Sequence, residues 1–219
     1  MPVIIKHRVE QAFGPDCIFA IVDWKGFLGA LDRNCATVTG TLEEVATPWG
    51  TGLSVAAAPS HVQFDWHGTA PLSTSPRSYF VRYFGFTTVT QVIISHGNAD
   101  SPRNATFLMT YANVLRGGTV TNFDTYATSI AGWHSLGLSN AGVNGGANIL
   151  YFDGLPVASG TNAGNLITGY SDLFLFLYSP VAYGPCPVGA TLQETLVFKR
   201  ALSAADHLHI HNNIIGASA

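Results

Sequence analysis

The sequence predicts an all-β protein, a two-sheet antiparallel β-sandwich with one short C-terminal helix. Apolar or alternating runs recur at roughly the 8–12-residue spacing typical of sandwich strands. The 23 glycines and 11 prolines fit many short strands joined by turns. Only one segment, near the C-terminus, carries a helix start signal. Because composition does not change along the 219 residues, we expect one domain at 17–219 after an N-terminal arm or edge strand at 1–16.

Apolar runs and alternation predict the strands of the first half. The run at 17–24 (CIFAIVDW) predicts a buried strand, and the alternation at 61–66 predicts a half-buried one. Residues 79–86 (YFVRYFGF) are aromatic on both faces, which indicates a central strand. The stretches at 31–35 and 41–44 are polar and are predicted to be turns.

A hairpin at 133–154 is predicted around the dipeptide Asp153-Gly154. This dipeptide tolerates positive φ and reverses a strand, and residues from 155 can return as the partner. Trp133 and Trp66 are expected in the core. Further strands are predicted for the second half of the chain at 165–169, 173–178 and 191–198.

The helix signal is a capping box. Ser203 can cap the helix, Asp206 lies three residues later, and the helix is expected over about 204–213. His207 and His211 share a helical face and could bind a metal as an i, i+4 pair. No third ligand is apparent, so the favoured interpretation of these histidines is surface polarity of the helix.

The order of these features resembles the laminin G-like and concanavalin A-like lectin/glucanase jelly roll. The segments that carry the resemblance are the Trp-His strand (133–138), the Tyr-Phe-Asp-Gly strand end (150–154), the strand and Arg-Ala-Leu-Ser turn (193–203) and an upstream Ser-Tyr-Phe-Val segment (78–81). The resemblance implies two packed antiparallel sheets of about six or seven strands each. It does not imply catalysis, because this fold hosts lectins, enzymes, adhesion modules and virion proteins.

Charge and cysteine content exclude several classes. The net charge is −3, and no basic stripe exists that could bind nucleic acid. No apolar run reaches the roughly 18–20 residues that span a bilayer, and the N-terminus does not resemble a signal peptide. Cys17, Cys35 and Cys186 are odd in number and widely spaced, which favours buried, reduced thiols and folding in a reducing cytoplasm.

The sequence predicts a protein that is not an enzyme. Glycoside hydrolysis needs two placed carboxylates, and the only adjacent acids, Glu43 and Glu44, lie in a turn-rich stretch. No order of serine or cysteine with histidine suggests a nucleophile.

Candidate ligand-binding residues are His96, Asp100, Asn104 and Asp124, which are expected in loops at one end of the sandwich. Related lectin-like domains use such loops for calcium or sugar, and the alternative is ordinary turn chemistry. Calcium is the only cofactor considered, and Gln193-Glu194 weakens it because the family often carries Asp-Glu there. Trp24 and Trp49 are either core residues or exposed stacking platforms for a sugar ring.

Two functions compete. The first is a virion structural protein, such as a phage capsid decoration protein or a tail or fibre component. It would be made in the host cytoplasm and would contact other virion proteins and its own copies. Only 11% of residues are charged, against about 25% in a typical domain, which suits a partly covered surface. The assembly arm would use Val3, Ile4, Ile5 and Phe13. The alternative is a carbohydrate-binding lectin-like module, with or without calcium.

Overall fold

The computed structural model is built almost entirely of antiparallel β-strands. It describes residues 14–33, 36–64, 75–86, 90–97, 106–111, 113–119, 123–128, 131–142, 145–161, 172–176 and 185–215. Thirteen strands are described: β1 (Cys17–Ile21), β2 (Ala36–Thr47), β3 (Gly50–Phe64), β4 (Arg77–Gly85), β5 (Gln91–His96), β6 (Thr106–Tyr111), β7 (Val114–Thr119), β8 (Phe123–Ala127), β9 (Gly132–Asn140), β10 (Ala147–Phe152), β11 (Leu155–Thr161), β12 (Leu173–Leu175) and β13 (Thr191–Phe198). Short 3₁₀ helices span Gly14–Asp16 and Leu28–Arg33, and helix α1 (Ala204–His209) continues as a π-helical segment, Ile210–Ile215.

The strands join into one hydrogen-bonded sheet in the order β11-β10-β9-β4-β13-β3-β12-β5-β6-β7-β8, with β1 beside β13 and β2 beside β3. The predicted division into two sheets is therefore not confirmed. The physical reason is the length of β3, whose 15 residues pair with β13 near Leu53 and with β12 near Phe64. The sheet curls until β8 contacts β10 and β11.

Of the three hydrophobic clusters among the described residues, the two largest lie on opposite faces of this sheet. The larger one fills the inside of the curl and includes Val81, Tyr83, Leu136 and Leu192. The smaller one lies outside, where α1 and the segment after it cover the sheet. Its buried members are Cys17, Ala20, Phe80, Leu196, Phe198, Leu202 and Ile210.

Several predicted elements are confirmed. The runs at 17–24, 79–86 and 191–198 correspond to β1, β4 and β13, and β4 is central between β9 and β13. The turn at Asp153 and Gly154 has φ values of 48° and 78°, and β11 returns from it as the partner of β10. The strand predicted at 165–169 lies outside the described residues.

The turn predicted at 41–44 is wrong, because these residues belong to the 12-residue strand β2. This strand pairs with β3 and is largely exposed, so its polar composition resembles that of a loop. Glu44 accepts hydrogen bonds from the backbone N–H groups of Gly26 (2.8 Å) and Leu28 (2.9 Å). Its carboxylate therefore holds the preceding 3₁₀ turn against the strand.

The capping box of α1 is confirmed. The backbone N–H of Asp206 donates to Ser203 Oγ at 3.2 Å, and the backbone N–H of Ser203 donates to Asp206 Oδ2 at 2.8 Å. Arg200 also reaches Asp206 Oδ2 through Nη1, at 3.0 Å. Among the described segments, none of the helices has the length and apolar character needed to cross a membrane.

Candidate functional site

The candidate site lies on the outer face of β4, β9 and β13. Arg82 pairs in register with Ser135 of β9 and with Glu194 of β13, and Phe84 pairs with Trp133. Side chains alternate along a strand, and the neighbours of these residues point into the inner core. Trp49 reaches the same face from the turn between β2 and β3. We call Trp49, Arg82, Phe84, Trp133 and Glu194 the Trp49–Trp133 patch.

A buried arginine–glutamate pair forms the floor of the patch. Arg82 Nε lies 3.2 Å from Glu194 Oε2, and the two side chains are only 5% and 6% exposed. The Arg82 guanidinium carbon lies 3.9 Å from the centre of the Trp49 ring, which is a cation–π contact. Burial lowers the pKa of Arg82. Burial also raises the pKa of Glu194 to about 8, against the opposing effect of Arg82.

The turn that carries Trp49 is held by hydrogen bonds. The backbone N–H of Trp49 donates to Thr47 Oγ1 at 3.2 Å. The Thr47 hydroxyl also contacts the side-chain oxygen of Gln193. Gln193 is fully buried, and its Nε2 donates to the carbonyls of Val22 (3.3 Å) and Thr51 (3.4 Å). Gln193 lies at the register shift between β13 and β4. Its side chain bonds to the turn that carries Trp49.

The aromatic rings of the patch are half-buried and steeply inclined to each other. The Trp49 and Trp133 ring centres are 5.2 Å apart with an interplanar angle of 87°. Phe84 packs on Trp133 at 5.5 Å and 59°, and Phe86 packs on Phe84 at 5.7 Å and 90°. These rings are therefore held at the surface with fixed relative orientations.

One tryptophan expectation is wrong, and one alternative is decided. Trp133 is not a core residue, because its register opposite Phe84 places it on the outer face of β9. Of its two alternatives, Trp24 is the core residue, because it is fully buried and packs edge-on against Phe27 with ring centres 4.8 Å apart. Trp49 is half-buried at the surface.

A row of hydrogen-bonded polar groups borders the patch. Ser135 Oγ lies 2.8 Å from His211 Nδ1, and the Ser135 N–H donates to Asp153 Oδ1 at 2.9 Å. His134 Nδ1 bonds to Asp153 Oδ2 at 2.9 Å. Burial raises the pKa of Asp153, but the bonds from His134 and Ser135 outweigh it and leave the pKa below its usual value. The Asp153 side chain is 37% exposed, so an ionised acceptor lies at the rim.

The histidines of α1 and its extension bond to the sheet. His207 is fully buried, and its Nε2 lies 2.9 Å from Ser139 Oγ, whereas His211 bonds to Ser135. The interpretation of His207 as surface polarity is therefore wrong. The two histidines bond to separate serines of β9 and do not converge as a metal pair. In the described segments, no group of three or more histidine, cysteine, aspartate or glutamate side chains could hold a metal ion.

Of the predicted ligand-binding loop residues, the two that the structure describes, His96 and Asp124, do not come together. His96 ends β5 fully buried, with Nδ1 2.6 Å from the Tyr79 hydroxyl, and burial lowers its pKa to about 3. Asp124 lies within β8 opposite Gly117, and β6 and β7 separate it from β5. The expected placement of His96 and Asp124 in loops is therefore wrong. Asp100 and Asn104 lie outside the described residues, as do Val3, Ile4, Ile5 and Phe13 of the expected arm.

Sequence reasoning missed Arg82 and Ser135, and it named His211 only as half of a possible metal pair or as surface polarity of the helix. The available signal was the charged Arg82 in the run 79–86, whose other residues are aromatic or apolar. Such a residue has to find a partner when it is buried. The identity of that partner depended on the register between β4 and β13, which are distant in sequence.

Comparison with known proteins identifies the fold. No family model matches the sequence, and no curated protein matches it. The botulinum neurotoxin serotype C1 binding domain superimposes with a TM-score of 0.63 at 10% identity, over 82% of this chain and 47% of that one. Domain 4 of AbnA, a GH43 extracellular arabinanase from Geobacillus stearothermophilus in complex with arabinotriose, gives 0.60 at 16% identity, over 80% and 87%.

This chain spans about half the length of the neurotoxin binding domains that it matches. At these identities the likeness shows the fold alone. The fold is one that all-β binding domains adopt, and it is consistent with the lectin-like jelly roll that the sequence resembles.

Proposed function

We propose that this chain is a carbohydrate-binding module that recognises a glycan at the Trp49–Trp133 patch. The observation that carries the proposal is the pair of half-buried indoles held at the surface beside a polar rim. A sugar ring has an apolar face that packs against an aromatic ring, and its hydroxyls need convergent hydrogen-bonding groups. Asp153 supplies an exposed acceptor.

The comparisons support this reading over a structural one. The matching domain of AbnA is in complex with arabinotriose, and the neurotoxin structures are described as binding domains. Ser135 and His211 resemble a nucleophile and its base, but Ser135 is only 3% exposed. We therefore propose binding without a catalytic step.

The direct test is an array of soluble oligosaccharides that includes arabinotriose, followed by calorimetry on each hit. We expect saturable binding that falls in the Trp49→Ala and Trp133→Ala variants. Tyr111→Ala is the control, because this aromatic ring is at the surface (46% exposed) but lies on β6, away from the patch. Repeating the titration in EDTA tests the calcium-dependent version. No binding to any oligosaccharide on the array, or an equal loss of affinity in all three variants, would contradict the proposal.

We also propose that the curled sheet functions as a jelly-roll sandwich. In support, β6, β7 and β8 pack across the inner core from β9, β10 and β11. A virion role, with capsid or tail proteins and other copies of the chain as partners, stays a prediction of the sequence. Deleting 2–14 tests it, since an arm-less protein that still assembles would contradict the proposed arm.

A further inference from the structure

We infer that the ligand is a single soluble carbohydrate chain, and that the patch does not bind the flat face of a crystalline polysaccharide. This inference rests on the function proposed above and narrows the class of ligand. It follows from the relative orientation of the two indoles.

Two aromatic rings can lie on one flat surface only when their planes are nearly parallel. The planes of Trp49 and Trp133 are inclined by 87°, with ring centres 5.2 Å apart. A planar array of sugar chains could therefore stack on one of these rings at most. The neighbouring Phe84 is inclined by 59° to Trp133 and does not extend a flat platform either.

The perpendicular arrangement is held from several directions. The guanidinium of Arg82 lies against the Trp49 ring at 3.9 Å, and Glu194 holds that guanidinium from the neighbouring strand. The Trp49 backbone is fixed through Thr47 to the buried Gln193. Trp133 packs against Phe84. Rotating either indole into the plane of the other would break these contacts.

A single chain suits the corner that two perpendicular rings form. One sugar can place its apolar face on an indole while its edge hydroxyls remain free to bond. Asp153 accepts a hydrogen bond from the Ser135 N–H at 2.9 Å, and Ser135 lies opposite Arg82 in the β4–β9 register, so an exposed carboxylate borders the patch. A sugar within a crystal has most of its edge hydroxyls already bonded to neighbouring chains.

The test presents the same sugar chemistry in two physical forms. Hydroxyethylcellulose and cellohexaose are compared with microcrystalline cellulose, chitohexaose is compared with crystalline chitin, and soluble linear arabinan is added. Soluble polymers are tested by retardation in affinity gels, oligosaccharides by calorimetry, and crystalline powders by depletion of protein from solution.

We expect binding to at least one soluble form and no depletion by its crystalline counterpart. Trp49→Ala and Trp133→Ala should each weaken the soluble interaction by about tenfold or more, and Tyr111→Ala should leave it unchanged. Depletion by a crystalline powder as strong as the soluble binding would overturn the inference but leave carbohydrate binding in place. If the protein binds neither the soluble nor the crystalline form of any sugar, and no oligosaccharide on the array, the proposed function itself is overturned.

Discussion

The imidazole of His207 lies nearly parallel to the ring of Tyr151, with ring centres 3.7 Å apart and planes inclined by 18°. Phe80 lies on the same imidazole at 6.2 Å and 24°. Tyr151 and Phe80 belong to β10 and β4, and between them Gly137 of β9 leaves space for the imidazole. This stack fixes α1 to the outer face of the sheet.

Substituting Gly137 should displace His207. A Cβ at position 137 would lie 2.6 Å from His207 Nδ1, so we expect Gly137→Ala to reduce the free energy of unfolding by about 1–3 kcal/mol. Urea denaturation measures the change. Gly29→Ala is the control, since a Cβ there meets nothing within 4 Å. Equal stability of the two variants would mean that the imidazole does not occupy this space.

His207 should make the protein less stable in mild acid. Burial lowers the pKa of His207 to about 3, from an ordinary value of 6.5. Between these values the unfolded chain binds a proton that the folded chain does not, so stability is lost as pH falls. His207 contributes at most about 1.4 kcal/mol per pH unit to the slope of the free energy of unfolding against pH. Urea titrations from pH 7 to pH 4.5 should give a shallower slope for His207→Gln. His96 remains in both proteins, so an unchanged slope would contradict the assignment to His207.

Glu194 should have the opposite pH dependence. Its pKa is raised to about 8 from 4.5, so the stability that it contributes is present below pH 4.5 and is lost as pH rises through 8. We expect the free energy of unfolding of Glu194→Gln, relative to that of the wild type, to rise by more than about 1 kcal/mol between pH 5 and pH 8.5. Thermal or urea unfolding at both pH values measures this gain. A difference between the two proteins that does not change with pH would show that Glu194 stays ionised beside Arg82.

Gln193 should control the order of the turn that carries Trp49. Gln193→Leu removes the bonds to Val22 and Thr51 and the contact with Thr47. The Thr51 carbonyl keeps its bond from the Trp24 N–H at 3.0 Å, so we expect a cost of about 1–3 kcal/mol from the Val22 carbonyl. We expect faster amide exchange of residues 47 and 49–51 and weaker glycan binding. Exchange within β10 serves as the internal reference, because Gln193 does not bond to that strand. Uniformly faster exchange would indicate general destabilisation instead.

Local signals explain which parts of the fold could be predicted. The apolar runs of β1 and β13 and the capping box at Ser203 and Asp206 depend on residues close in sequence, and they are confirmed. The face occupied by Trp133 could not be predicted, because it depends on pairing with Phe84 about fifty residues earlier. The single sheet likewise depends on β3 reaching two different partners. The candidate site depends on the same non-local registers, and of its residues only Trp49 was predicted from sequence to bind a ligand.

The central position of β13 determines when the fold can be completed. This strand separates β3 from β4, and the bond from the Leu202 N–H to Ser78 Oγ joins residues 124 positions apart. Contacts of such long range form slowly. While the chain is being synthesised, the edges of β3 and β4 that face β13 have no partner until residue 198 has been added. A nascent chain with two open strand edges is prone to aggregation, and the final strand that closes the sheet also removes that hazard.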